Sequence, residues 1–359
     1  MAAEPESVSL FLELAAIPSP PGEERAVADA VLRYLRGLGL QPDEDECGPG
    51  IGSTMGNILV RLEATAPGTP LFFCAHLDTV PPAGELRPVV EDGTIRNAGG
   101  TILGADNKAA VVAMLEGVRR VLAESRPHAG IELLFTPMEE VGLLGAEAFD
   151  HDRLHARVGY VYDQAAPIGE IILGAPWSRV LDVRFHGRAS HSGMFPEEGR
   201  SAIQAAAKAI ADLRLGRVDD DTTANVGVVS GGTARNVVPE WCSFAAEARC
   251  HDERRLGEIV QEMLDVCSFA ATSAECEVET QVRKSYSGYR LRQEEEAVRL
   301  AASALERCGA EVTYALSGGA ADANVFNERG RRCVNLANAM TDIHTPAERI
   351  AVSDLEAMI

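Results

Sequence analysis

The chain has 359 residues, of which 46% are hydrophobic and 24% charged, and its formal net charge is −21. This length favours two domains, and no apolar run is long enough to span a bilayer, so we expect no membrane partner. The acidic balance disfavours a nucleic-acid partner, because binding to phosphates needs clustered Lys and Arg.

Cysteine usage and the start of the chain indicate the compartment. The eight cysteines show no C-x-x-C spacing, and the N-terminus is acidic, with no basic segment before its apolar stretch. We therefore expect free thiols, no secretory signal and a cytoplasmic location.

The first part of the chain alternates helical and strand patterns. The predicted elements are a helix at 23–39, strands near 56–63 and 70–76, a helix at 106–124, and strands near 130–136 and 158–163. This alternation indicates an α/β fold with a mostly parallel sheet, in which ligands gather at the carboxyl ends of the strands.

A different pattern begins near residue 177. Its strands and helices follow the order β-α-β-β-α-β, at 180–187, 201–214, 222–231, 238–250, 255–271 and 275–284. This order predicts a ferredoxin-like α+β domain inserted at 177–285.

The α/β pattern resumes after the insertion. It predicts a helix at 293–308 and strands near 311–315 and 332–336, so the large domain is discontinuous, over 1–176 and 286–359. Ser353 and Glu356 predict a capping box for a short last helix, since the chain ends about a turn later.

Polar residues directly follow several of the apolar segments. FFCAHLDTVPP (72–82) ends a strand with His76 and Asp78, which share a face because side chains two apart in a strand point the same way. Asp106 follows the Gly-rich segment GGTILG and begins a helix, where a simple N-cap is the alternative. A phosphate loop is disfavoured because G-K-[S/T] is missing.

Four more candidates follow further along the chain. Glu139 and Glu140 end a predicted strand, Asp163 ends another, and His344 lies in a loop. An acidic surface turn, or ordinary capping and hydrogen bonding, would also explain each of them alone. Together, however, histidines and carboxylates are the ligands that zinc accepts, and hydrolytic two-metal sites contain a bridging carboxylate.

Seven ordered motifs resemble those of the co-catalytic zinc exopeptidases. They are H-L-D-T-V-P at 76–81, G-A-D-N-K at 104–108, T-P-M-E-E-V-G-L at 136–143, A-S-H-S-G at 189–193, A-R-N-V-V-P at 234–239, S-G-G-A-A-D-A-N at 317–324 and H-T-P-x-E at 344–348. That family includes peptidase T, glutamate carboxypeptidase, aminoacylase and succinyl-diaminopimelate desuccinylase. The second and sixth motifs most resemble its peptidase T-like branch.

The resemblance implies a catalytic domain with two metal ions per subunit, zinc with cobalt or manganese as the alternatives, and an inserted lid or dimerisation domain. His76 and Asp163 would hold one ion, Glu140 and His344 the other, and Asp106 would bridge both. The sheet edge and the helical face expected of the inserted domain could pair with a second copy of the chain, so a homodimer through this domain is possible.

Three residues take catalytic roles by the same resemblance. Asp78 would accept the second ring N–H of His76 and fix its orientation. Glu139 would be the general base that takes a proton from the metal-bridging water and passes it to the leaving amine. His191 would stabilise the tetrahedral oxyanion, although a surface histidine is the alternative from spacing alone.

Four positions resemble substrate-binding ones: Asn236, Arg249, Gly318 and Gly319. For Arg249, a strand-end ion pair competes with a grip on a substrate carboxylate. Gln164 and Ala165 depart from the family pattern, because relatives commonly have a Gly-rich turn there.

The function implied is a peptidase T-like aminopeptidase that acts on tripeptides. An N-acyl amino acid deacylase would use the same metals with a different pocket. A non-catalytic binding protein on this fold belongs to another class, and the loss of Glu139 or of a metal ligand would indicate it. All of these residues are present.

Overall fold

The computed structural model describes residues 5–359. Two compact units make up the chain. The large unit comprises the residues up to Ala175 together with Arg290–Ile359, and the small unit comprises Pro176–Tyr289.

The helices and strands are numbered along the chain. Those before the small unit are α1 (Glu6–Ala15), α2 (Arg25–Gly37), β1 (Asp43–Glu44), α3 (Gly48–Ile51), β2 (Ile58–Leu62), β3 (Leu71–His76), β4 (Pro88–Glu91), β5 (Thr94–Asn97), α4 (Ala105–Ala123), β6 (Ile131–Thr136), α5 (Leu144–Ala148), β7 (Val158–Gln164) and β8 (Glu170–Ala175). Those of the small unit are β9 (Trp177–His186), α6 (Ala202–Asp212), β10 (Gly216–Asp219), β11 (Thr222–Gly231), β12 (Trp241–Cys250), α7 (Glu253–Ser273) and β13 (Glu277–Tyr286). The rest are β14 (Tyr289–Arg290), α8 (Glu296–Arg307), β15 (Thr313–Leu316), α9 (Asp322–Glu328), β16 (Arg332–Ala337), β17 (Arg349–Ala351) and α10 (Val352–Met358).

The main sheet of the large unit has the strand order β1-β2-β6-β3-β7-β16-β8-β14, with β15 beside β8. Its central strands β6, β3, β7 and β16 are parallel neighbours, and the register places His76 opposite Thr136. Their carboxyl ends therefore meet at one edge of the sheet, where ligands bind in this class of fold.

Burial explains the sequence of these elements. β3 is a nearly continuous apolar run because parallel strands are covered on both faces. The helices α2 and α4 pack their apolar sides into the same core through Val27, Val31, Leu35, Val111 and Leu115.

The small unit is a five-stranded antiparallel sheet of order β10-β11-β12-β9-β13. Side chains of α6 and α7, such as Ala205 and Met263, share a core with Leu181, Val183 and Phe185 of β9. The two units together confirm the predicted fold class. The short edge strand β10 is an addition that the pattern did not predict.

The predicted capping box at Ser353 and Glu356 is wrong. No side chain caps α10, whose preceding residue is Ala351. The carboxylate of Glu356 instead accepts hydrogen bonds from Arg120 of α4, at 2.9 Å, and from the hydroxyl of Ser7. Residues of other helices therefore bind the Glu356 carboxylate, which in a capping box would accept a backbone N–H at the start of its own helix.

All eight cysteines are free. Within residues 5–359, no helix combines the length and the apolarity that crossing a membrane requires.

Candidate metal centre

The five predicted metal ligands lie together at the carboxyl edge of the main sheet. Nε2 of His76 lies 3.2 Å from Oδ1 of Asp106 and 3.8 Å from Oδ1 of Asp163. Nε2 of His344 lies 3.2 Å from the other Asp106 oxygen, Oδ2, and 3.1 Å from Oε1 of Glu140. Asp106 thus stands between two histidines and turns one carboxylate oxygen to each.

Strand ends position two of these ligands. His76 is the last residue of β3 and is 2% exposed. Asp163 lies near the end of β7, where its backbone N–H donates to Oδ1 of Asn335 at 2.9 Å. The amide of Asn335 donates in return to the carbonyl of Asp163 at 3.0 Å. This residue of β16 therefore fixes the backbone of a ligand on the neighbouring strand.

Asp106 is not a simple N-cap. No side chain caps α4, and the backbone of Asp106 is non-helical, with ψ of 102°. Gly104 before it has a φ of +76°, which favours glycine, and a Cβ there would come 3.3 Å from Cγ2 of Thr79. The Gly-rich segment thus serves the sharp turn that presents Asp106 to the histidines.

The role predicted for Asp78 needs a correction. Nδ1 of His76 lies 2.8 Å from the backbone carbonyl of Asp78 and 3.6 Å from its carboxylate. The carboxylate instead accepts the backbone N–H groups of Glu139 and Glu140, each at 3.0 Å. Asp78 therefore orients the imidazole mainly through its main chain, and its side chain holds the turn that carries both glutamates.

Glu139 is 8% exposed and lies beside the metal-ligand candidates. Its carboxylate forms one compact group with His76 and Asp163, while His76, Asp106 and Glu140 form another; within each group the ligand atoms lie within 4.8 Å of one another. Distance alone therefore allows Glu139 to act as a base or as a ligand.

The charges of the site favour a cation. Burial lowers the pKa of His76, but the hydrogen bond to Asp106 and the nearby carboxylates of Asp163 and Asp78 outweigh it and raise this pKa well above its ordinary value. Hydrogen bonds to Asp106 and Glu140 raise the pKa of His344 to about 10. Burial and the neighbouring Asp106 raise the pKa of Asp163 to about 7. The carboxylates thus attract positive charge, and these oxygen and nitrogen donors fit divalent metal ions, which compete with protons for them.

Two buried carboxylates of this region, Glu348 and Asp322, were assigned no role from the sequence. Glu348 accepts backbone N–H groups of the Asp106 turn. Asp322 accepts a hydrogen bond from the hydroxyl of Thr136 at 2.6 Å, and burial raises its pKa to about 6. The motifs H-T-P-x-E and S-G-G-A-A-D-A-N could have drawn attention to them. In each motif, Glu348 or Asp322 is the acidic residue to which the sequence prediction assigned no role.

In the small unit, the structure brings two predicted residues together. The exposed His191 accepts the N–H groups of Gly193 and Met194 at Nδ1, both at 3.2 Å, which leaves Nε2 as the ring nitrogen that can donate. The N–H of Ser192 donates to the carbonyl of Asn236 at 3.0 Å. The two predicted segments are therefore adjacent.

The structure gives Arg249 a partner within its own unit, and it places the two predicted glycines in the large unit. Nη2 of Arg249 lies 3.1 Å from Glu247, so the ion pair weighed as the alternative is present. In the large unit, the N–H of Gly319 donates to Oγ of Ser317 at 3.1 Å. A Cβ at Gly318 would meet no atom within 4 Å, so that position faces open space.

The chain is similar to known proteins over most of its length. The model of peptidase family M20/M25/M40 matches residues 72–359. An uncharacterised protein, YqjE of Bacillus subtilis, is 35% identical over 345 residues, which are 96% of this chain and 93% of that protein.

Two solved structures are similar over nearly the whole chain. The crystal structure of aminopeptidase PepT from Bacillus cereus is 35% identical, with a TM-score of 0.90, over 98% of this chain and 95% of the other. A tripeptidase from Staphylococcus aureus is also 35% identical, with a TM-score of 0.94, over 98% and 94%.

Proposed function

The chain belongs to peptidase family M20/M25/M40, and on this premise we propose that it is an aminopeptidase with two zinc ions that acts on tripeptides. The predicted relationship to peptidase T is confirmed by the similar solved structures. Their names, an aminopeptidase and a tripeptidase, support the finer proposal for this chain.

One observation carries the two-metal proposal: the two carboxylate oxygens of Asp106 face two different histidines, each at 3.2 Å. A carboxylate placed in this way suits the bridging position of a two-metal hydrolytic site. His76 and Asp163 would hold one ion, and Glu140 and His344 the other.

The bound ions would lower the pKa of a water molecule and polarise the scissile carbonyl. Glu139 then accepts the proton of the attacking water on its carboxylate and delivers it to the leaving amine nitrogen. Burial raises the pKa of Glu139 well above the ordinary range, although His76 acts against this, and a raised pKa makes the carboxylate a stronger base. The main chain and side chain of Asp78 keep His76 and Glu139 in place.

The remaining predictions belong to the same proposal. His191 would stabilise the oxyanion through its Nε2–H, and the other substrate contacts would come from Asn236, Arg249, Gly318 and Gly319. We also propose a homodimer formed through the small unit and a cytoplasmic location, the latter supported by the free cysteines.

The test compares zinc-loaded hydrolysis of a free tripeptide, its N-acetylated form and N-acetyl amino acids, by wild type and Glu139→Gln. We expect wild type to cleave only the free tripeptide. Glu139→Gln should lose at least about 100-fold in kcat while it still binds two zinc ions, because the base has gone and the ligands remain. Glu147→Gln is the matched control, since Glu147 follows on the same segment but pairs with Arg329.

Three other results would contradict parts of the proposal. A preference for N-acyl substrates would make the protein a deacylase with the same centre. Loss of a zinc ion in Glu139→Gln would make Glu139 a ligand, and full activity in that variant would exclude it as the base.

A further inference from the structure

Glu348 is a buried carboxylate whose contacts converge on the turn that carries Asp106. It follows His344 by four residues and is 1% exposed. Oε2 accepts the N–H groups of Leu103 at 2.8 Å and Gly104 at 3.0 Å, and Oε1 accepts the N–H of Asp106 at 3.0 Å.

At a regular helix start, a capping side chain or water accepts the first backbone N–H groups. Here these three hydrogen bonds to Glu348 serve that purpose. Asp106 departs from helical geometry, so the turn relies on an acceptor from elsewhere in the chain. Buried N–H groups without acceptors are costly, and a carboxylate with two oxygens can satisfy all three at once.

We propose that Glu348 is a positioning residue that sets the affinity of both metal ions without binding either. By fixing the main chain of Asp106, it aims one oxygen at His76 and the other at His344. This inference rests on the proposed two-metal function. It predicts that a change at Glu348 weakens both metal-binding steps, because both depend on the orientation of Asp106.

Glu348→Gln is the sharpest substitution because it keeps the size and shape of the side chain. The amide offers one acceptor oxygen and one NH₂ donor. Whichever way it turns, the NH₂ faces either the N–H of Asp106 or those of Leu103 and Gly104. At least one bond is therefore replaced by a repulsive contact.

The experiment is a calorimetric titration of the metal-free chain with Zn²⁺. For Glu348→Gln we expect both binding steps to weaken by about 10- to 100-fold, the usual effect of losing a group that supports metal ligands. Asp106→Asn should likewise weaken both steps, whereas His344→Ala should weaken one. At saturating zinc, kcat of Glu348→Gln should recover towards wild type.

Glu132→Gln is the matched control. Glu132 is also buried and accepts two backbone N–H groups, those of His155 at 2.9 Å and Ala156 at 2.8 Å, in a loop that supplies no ligand. It should lower the stability of the fold and leave both zinc affinities unchanged.

The possible results separate this inference from the proposed function. Zinc affinities of Glu348→Gln equal to wild type, or weakened at one step only, would overturn the inference and leave the two-metal function intact. Absence of zinc binding by wild type would overturn both. If the glutamine variant does not fold, Glu348→Asp, which is one methylene too short for these bonds, decides by the same titration.

Discussion

Lys108 is a buried cation within the motif G-A-D-N-K. It is 1% exposed, and its ammonium donates to the carbonyl of Ile17 at 2.6 Å. Burial lowers its pKa to about 7, although the carboxylate of Glu348 acts in the opposite direction. Between pH 7 and the ordinary value of 10.5, the unfolded chain therefore binds more protons at this residue than the folded chain.

This shift predicts a pH-dependent contribution to stability. Because the unfolded state holds the extra proton, the contribution of Lys108 to the free energy of unfolding rises with pH over that window. We expect wild type to gain stability relative to Lys108→Met between pH 7.5 and 9.5, by at most about 1.4 kcal/mol per pH unit. Urea unfolding of both proteins in the presence of a chelator measures it. Parallel pH profiles would show that Lys108 keeps its ordinary pKa when folded.

At the scale of single residues, the sequence was enough to propose the metal-ligand candidates but not the contacts of the residues that support them. His76, Asp106 and His344 are candidates from sequence because metal ligands must be particular residue types, and these three lie in recognisable motifs. Asp78 and Glu348 act on backbone N–H groups, which every non-proline residue has, so no residue pattern identifies their partners.

At the scale of elements, Asp322 links the strands that carry the site. It begins α9, and its Oδ2 accepts from the hydroxyl of Thr136 at the end of β6 and from the thiol of Cys74 in β3, at 3.6 Å. Those strands end just before Glu139 and at His76. A buried carboxylate thus holds together two strand ends from which the site is built.

Removal of this link should destabilise the large unit. Thr136→Val has nearly the same shape but leaves the Asp322 oxygen without its best donor, at a cost of about 2–3 kcal/mol in the free energy of unfolding. Thr136→Ser keeps the hydroxyl and loses one methyl group, so it should cost only about 1 kcal/mol. Urea denaturation at pH 8 compares them, and equal stability of the valine variant and wild type would refute the link.

The long elements were predictable because their periodicity reflects burial. The predicted helix at 106–124 and the strand at 70–76 agree with α4 and β3 to within a residue. Four-residue strands such as β4, β5 and β10 were missed, since a few residues do not establish a period. The six-residue strand β8 was missed as well. The capping box at Ser353 failed because tertiary contacts of Glu356 took precedence over local sequence.

At the scale of the whole molecule, the fold class followed from the change of pattern near residue 177. The convergence of the site did not follow from periodicity, because His76 and His344 come from opposite ends of the chain. The topology of the sheet brings them together, and the position of polar residues after apolar strands, with the resemblance of the ordered motifs, anticipated it.

The most direct test of the account is anomalous diffraction at the zinc edge from crystals of the zinc-loaded chain. Two peaks about 3.5–4 Å apart are expected. One should lie between His76 and Asp163, the other between Glu140 and His344, and both should contact Asp106. A single peak, or two peaks without Asp106 between them, would contradict the two-metal centre.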